Sequence, residues 1–326
     1  MKIGLSLNRS GGGPAVFMNN LKHAMAQIPG VRTSYFFDPF VSINIFANKP
    51  RLSILKPFIF RVDGVAFDKK MSSDIKMQTN LDLVHGISHA RGVIYQSDFS
   101  QKISEVILGV KPQKSTIILN GTDLNFFNPH GDNIRKKLGI DNNAIIFVTS
   151  AKWRAHKRLS SIVSVFREVA KALPKEAYLV VIGEPDYKIE DDKRVISLGH
   201  VHHSELPAIL RAGDIFLYFS WLDNCPNSVI EAIACGLPVI CTNQGGTREI
   251  VEATSGGLVV EADNPFIFHE IALYEPPVPN ISQLVVACKA LIEDLSFYKT
   301  RIDPRAIDIN NVAISYIEFI KQAIND

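Results

Sequence analysis

The chain has 326 residues, 46% of them hydrophobic and 21% charged, and a formal net charge of +2. That length accommodates two domains of ordinary size, each with its own core, and that composition excludes a disordered or linker protein. The small net charge excludes the global positive field of a nucleic-acid binder, so no nucleic-acid partner is indicated.

The opening MKIGLSLN is one short strand-like run without the long apolar region of a secretory leader, and no apolar run is long enough to span a bilayer. The expectation is a soluble cytoplasmic protein. Cys225, Cys235, Cys241 and Cys288 form no CxxC pair and sit mostly among apolar residues, which suits buried thiols in a reducing compartment and predicts no metal site.

After the first strand, RSGGGP leads into a helix predicted to begin at Pro14, with Val16, Phe17, Asn20, Leu21 and Ala24 along it. Further strands are predicted in VRTSYFF (31–37), FIFRVDG (58–64) and ARGVIYQS (90–97), making a first Rossmann-like unit. STIILNGTDLNFFNP (115–129) then runs into the polar GDNIRKKLGIDNN, which places a domain boundary there: residues 1–130 and 131–305.

The second half alternates more regularly. Strands are predicted in AIIFVTS (144–150), AYLVVIG (177–183), RVISLG (194–199), DIFLYFS (214–220), PVICTN (238–243) and GGLVVEA (256–262), with helices over 159–173, 204–211 and 226–235 between them. Near-continuous apolar strands alternating with helices imply a parallel sheet covered on both faces, hence a second Rossmann-like domain. The first of these helices puts Leu159, Ile162, Val163, Phe166, Val169, Ala170 and Leu173 on one stripe. A last amphipathic helix over 306–326, set off by RIDPR, can pack back on the N-terminal domain or stay with the second.

Ligands of parallel sheets collect at the carboxyl ends of strands, where helix N-termini offer unpaired N–H groups. Three turns there carry chemistry. RSGGGP allows close backbone approach, although Val16 in place of a third glycine breaks the dinucleotide fingerprint and no GK[ST] follows. SAKWRAHKRL crowds Lys152, Arg154, His156, Lys157 and Arg158 at a helix start, against the usual acidic preference, and a bound diphosphate resolves that conflict. In DNCPNSVIEAIACG, Pro226 suits the first helical position and Gly236 the C-terminal cap, so Asp223 falls in the loop and Glu231 inside the helix. Carboxylates that accept paired hydrogen bonds suit the vicinal hydroxyls of a sugar.

DNCPNSVIEAIACGLPVICTNQGGTREIV resembles the signature region of GT-B glycosyltransferases of family 4, with Asp223 and Glu231 at the two acidic positions of an E-x7-E motif. SAKWRAHKRL is similar to that family's phosphate-binding turn, and the likeness continues through GHVHHSELPAILRAGDIFLYFS, NGTDLNFFNP and GGGPAVFMNNL. The resemblance implies an α/β fold of two Rossmann-like domains facing each other across a cleft. It implies a retaining transfer of a sugar from a UDP-, GDP- or ADP-linked donor to a hydroxyl of a glycan or other acceptor, with no cofactor and no essential metal.

By the same resemblance Glu231 holds the ribose hydroxyls, Asp223 a hydroxyl of the donor sugar, and Lys152 with Lys157 the departing diphosphate; their neighbours Asn224 and Arg158 are expected among the substrate-binding residues. The backbone of Gly12, Gly13, Gly245 and Gly246 completes the lining, and FIFRVDGV supplies Arg61 and Asp63 on the acceptor side. Asp223 departs from the usual glutamate, and Arg158 stands where glycine is common. Other readings stay open from sequence: a UDP-sugar epimerase or hydrolase of the same architecture, a non-catalytic sugar-nucleotide-binding protein, and a nicotinamide-dependent oxidoreductase with Asp38 ending its second strand. NKPRLSILKPFIFR mixes basic and apolar residues, compatible equally with peripheral membrane contact and with a buried strand.

Overall fold

The computed structural model describes residues 1–6, 13–35, 38, 40–49, 56–262 and 266–325. Gly12 and most of the glycine-rich turn lie outside them, as do residues 50–55 of the basic and apolar stretch. The chain forms two compact units, each built on a six-stranded parallel sheet.

The first unit comprises Met1–Asp123, Ile267–Leu273 and Ala306–Asp326. Its elements are β1 (Lys2–Leu5), α1 (Gly13–Ala26), β2 (Arg32–Tyr35), β3 (Ile43–Ala47), β4 (Phe58–Val62), α2 (Ser73–His89), β5 (Gly92–Tyr95), α3 (Asp98–Leu108) and β6 (Ser115–Ile117). The sheet order is β2-β1-β3-β4-β5-β6. The predicted strands are present but shorter, and α1 begins one residue before Pro14.

Strand β3 was not expected. Asn44 interrupts its apolar run, yet Asn44 is fully buried between neighbouring strands.

The second unit comprises Leu124–Phe266 and Tyr274–Arg305. In chain order it contains α4 (Arg135–Leu138), β7 (Ile145–Ser150), α5 (Leu159–Ala172), β8 (Ala177–Ile182), β9 (Val195–Gly199), α6 (Leu206–Leu210), β10 (Ile215–Tyr218) and α7 (Asn227–Ala234). It continues with β11 (Val239–Thr242), α8 (Thr247–Ala253), β12 (Gly257–Val260), α9 (Ile281–Glu293) and α10 (Leu295–Arg301). The sheet order is β12-β11-β10-β7-β8-β9. The strand order therefore reverses between β7 and β10, which opens a crevice at their carboxyl ends. Helix α5 buries Leu159, Ile162, Val163, Phe166 and Val169, the stripe read from sequence, against β7, β8 and β10 and beside α9.

Pro226 stands just outside α7, in an extended conformation with φ −71° and ψ 119°. At the other end Gly236 is left-handed, φ +82°, with Gly236 N–H donating to the Ile233 carbonyl and Leu237 N–H to that of Ala232. That is a Schellman cap, which only glycine closes without strain.

The last helix, α11 (Ile309–Asn325), belongs to the first unit. Ile309, Val312, Ala313, Tyr316, Ile317, Ile320 and Ala323 recur at helical spacing and pack with Phe17, Met18, Leu21 and Met25 of α1. Each large side chain so buried contributes about 1.5–3 kcal/mol. Among the described residues no helix is long and apolar enough to cross a membrane.

Candidate functional site

The turn after β7 and the loop after β10 flank the crevice of the second sheet. In the first, a 3-10 turn spans Ala155–Lys157 and Arg158 adopts left-handed backbone, φ 55° and ψ 42°, before α5 begins. The loop after β10 also contains a left-handed residue, Leu222 at φ 59°. Non-glycine residues there cost about 1–3 kcal/mol unless the surroundings impose them. The surroundings do: Trp221 N–H donates to the His156 carbonyl at 2.7 Å, and Gly246 N–H to the Asp223 carbonyl at 2.7 Å.

Gly245 is required by the same packing. A Cβ there would lie 2.7 Å from the Asp223 carbonyl oxygen and 2.8 Å from its nitrogen, at φ +79°. The two glycines expected to line the site therefore clamp the backbone of Asp223.

The clamped carboxylate meets the basic turn. Lys157 Nζ donates to Asp223 Oδ2 in a very short ion pair and to Tyr218 Oη at 3.0 Å, while the Tyr218 hydroxyl donates to the same carboxylate oxygen at 2.6 Å. The Lys157 and Asp223 side chains retain 15% and 20% exposure, so the pair is reachable from solvent. Burial disfavours both charges. Their attraction outweighs it, holding the Asp223 carboxyl below the usual carboxylate range and the Lys157 ammonium above its own. Burial, then the Asp223 charge, raises the Tyr218 hydroxyl, which stays a neutral donor. An ammonium has three N–H donors; with two engaged, Lys157 has one for an incoming anion.

Tyr218 was missed in the sequence, where it reads as one more apolar residue of β10. The available signal was a tyrosine ending a buried strand, because a buried hydroxyl requires a partner.

His156 is a correction to the cationic cluster. Burial, then the adjacent Lys157, lowers it to about 4, so it is neutral at physiological pH. Its ring packs edge-on to Tyr274 and its Nδ1 has no partner. Lys152 and Arg154 are exposed on the same turn; Arg154 donates to the Tyr274 hydroxyl at 3.3 Å. Lys152 makes no hydrogen bond to a described residue. Arg158 parts from Lys157: it is 4% exposed and donates to the Phe219 carbonyl and to Gln244 Oε1.

Glu231 sits on α7, half-buried, with no hydrogen bond or ion pair from its carboxyl to a described residue. Burial pushes it up to about 8. Asn224 is half-buried beside Asp223.

In the first unit Asp63 follows β4, and its carboxylate is fixed from two sides. Asn48 Nδ2 donates to Oδ2 at 2.8 Å and Arg61 Nε to Oδ1 at 2.5 Å, while Asp63 N–H donates to Asn48 Oδ1. Asn48 ends the unexpected strand β3 with φ 59°, a conformation asparagine tolerates. Arg61 is fully buried, and its remaining arms donate to the Tyr316 hydroxyl and Asn120 Oδ1, each at 2.8 Å, over the Phe17 ring. This corrects its expected place on a substrate surface: all its nitrogens are engaged internally, and it positions Asp63. Gly13 opens α1. Among the described residues no three His, Cys, Asp or Glu side chains converge as a metal site requires.

Residues 131–270, which contain the turn, the loop and Glu231, match the family model described as glycosyl transferases group 1. This segment is similar throughout to that family. The chain is 25% identical over 247 residues to an Escherichia coli UDP-Gal:alpha-D-GlcNAc-diphosphoundecaprenol alpha-1,3-galactosyltransferase, covering 71% of this chain and 63% of that enzyme.

It spans less than two thirds of the length of the first curated relatives it matches. Among solved structures, a sucrose-phosphate synthase from Thermosynechococcus elongatus superposes with a TM-score of 0.70 at 15% identity, covering 99% of each chain. Anabaena HepE, solved with UDP and glucose, gives 0.70 at 14% identity, covering 98% of this chain and 99% of that one. The chain thus has the GT-B fold.

Proposed function

We propose that the protein is a retaining, metal-independent glycosyltransferase that moves a sugar from a nucleotide-diphosphate donor to an acceptor hydroxyl in glycan or glycoconjugate synthesis. The observation that carries this reading is the Lys157, Asp223 and Tyr218 cluster at the crevice between β7 and β10, with a spare N–H on Lys157.

The spare N–H, with exposed Lys152, takes a phosphate oxygen of the donor. Glu231, whose carboxyl has no partner among the described residues, accepts from the ribose hydroxyls, and Asp223 with Asn224 from a hydroxyl of the donor sugar. The anomeric C–O bond breaks with its electron pair going to the diphosphate, where Lys157 stabilises the charge that grows in the transition state. The acceptor oxygen bonds to the anomeric carbon on the same face, and its proton passes to the departing phosphate. Asp63 serves the acceptor hydroxyl on the first unit, oriented by Arg61 and Asn48. The similar Escherichia coli enzyme is named for UDP-Gal, and Anabaena HepE is solved with UDP and with UDP-glucose, which supports a uridine-linked donor.

The test is a thermal-shift screen against UDP-, GDP- and ADP-sugars, followed by transfer assays with the stabilising donor and simple glycoside acceptors. A melting point raised by one nucleotide-sugar class, and a glycosidic product of retained configuration, is expected. Donor cleavage or epimerisation without transfer to any acceptor would replace the proposal with a hydrolase or epimerase.

A further inference from the structure

In sequence Arg158 is one more cation at the diphosphate turn, but in the fold it serves a different cavity. Lys157 turns to Asp223 and Tyr218, whereas the Arg158 guanidinium reaches the Phe219 carbonyl at 3.3 Å and Gln244 Oε1 at 3.0 Å. It is 4% exposed, and among the described residues its Nε has no partner and no carboxylate lies within ion-pair distance. A guanidinium stays charged even when buried, and a buried charge without a counter-charge is costly. Burial lowers Arg158 only to about 10, which leaves it protonated at neutral pH.

A second orphan stands beside it. Thr242, 3% exposed at the end of β11, has an Oγ1 without a partner among the described residues. Both residues line one cleft open to solvent, together with Gln244, Glu261 and Asn280. Asn280 caps α9, accepting from Gln283 N–H at 3.1 Å, so the positive end of a 13-residue helix adjoins the cleft. Glu261 is exposed and accepts from Asn243.

We propose that this cleft binds a small oxyanion, the phosphate or carboxylate group of a metabolite, at a site separate from that of Lys157 and Asp223. The ligand supplies the counter-charge that Arg158 lacks and accepts the Thr242 hydroxyl proton in a hydrogen bond. The assignment does not depend on which donor the enzyme uses. It also gives the cleft a route to the donor side: Arg158 directly follows Lys157, and Gln244 directly precedes the glycines that clamp Asp223. A metabolite held there adjusts the geometry of the Lys157 and Asp223 pair.

Titration calorimetry of the full chain with inorganic phosphate and, separately, malonate tests the site, each with and without saturating UDP. One saturable site with a dissociation constant below about 1 mM, still filled in the presence of UDP, is the expected result. Tighter phosphate binding identifies a phosphoester ligand and tighter malonate binding a carboxylate. Thr242→Val, which preserves shape, should weaken binding about tenfold, and Arg158→Gln should abolish it. The proposal is overturned if neither probe binds, if UDP displaces the probe one for one, or if Thr242→Val leaves affinity unchanged. Failure of UDP to bind while phosphate or malonate still binds would count against the donor assignment alone.

Discussion

Lys157 and Asp223 are each half of a partly buried pair, so changing one affects the other. Lys157→Met removes the counter-charge of Asp223 and, in the proposed reaction, the stabiliser of the leaving group. Turnover should fall about 10²–10³-fold, with a smaller change in donor affinity; single-turnover kinetics separates the two, and an unchanged turnover number would remove Lys157 from the reaction. Glu231 makes a prediction with a sign. In the unfolded chain it ionises near 4.5, whereas burial holds the folded group at about 8.

Between those values the folded state keeps a proton that the unfolded state has lost, so this group's contribution to stability falls as pH rises through the window. Glu231→Gln should therefore melt at the wild-type temperature near about pH 4 and several degrees above it near about pH 8.5. A melting difference independent of pH would show that the carboxyl is not desolvated. The candidacy of Lys157, Asp223 and Glu231 was legible from spacing alone. The hydroxyl of Tyr218, the neutrality of His156 and the diversion of Arg158 were not, because each depends on what surrounds the side chain.

The loops behave as elements in their own right, and glycine positions show what fixes them. Gly245→Ala would place a methyl within 2.7 Å of the Asp223 carbonyl at a left-handed φ, whereas the same change at Gly109, φ +64°, meets open space. Gly109→Ala should cost only the backbone term of about 1–2 kcal/mol. Gly245→Ala should cost more and also weaken nucleotide-sugar binding, because it displaces the loop that carries Asp223. Equal losses of melting temperature with donor binding intact in both variants would show that the Gly245 contact positions nothing. Helices and strands with clean periodicity, α5 above all, could be placed from the sequence. Strand β3 could not, since a buried asparagine breaks its apolar run, and without β3 there is no Asn48 to hold Asp63.

Across the molecule, the first unit is assembled from three separate stretches of chain, and its α1 face is covered only when α11 arrives. A chain ending at residue 305 should leave Phe17, Met18, Leu21 and Met25 uncovered and Arg61 without Tyr316. Its first unit should bind hydrophobic dye and lose protection from hydrogen exchange, while the second unit keeps the strands, turn and loop of the candidate site. Native-like protection of β1, β3 and β4 in that truncated chain would refute the dependence on α11.

The sequence by itself determined that two parallel-sheet units form, because alternating apolar strands and amphipathic helices are local patterns that only such layers bury. It also determined which turns hold the candidate groups, since parallel strands present their functional residues at their carboxyl ends. Tertiary structure alone decided the partners. Arg61 meets Tyr316 across 255 positions and Lys157 meets Asp223 across 66, and no periodicity within a single element encodes such a pairing. Which charge is buried, which is paired and which is left for a ligand follows from those distant contacts.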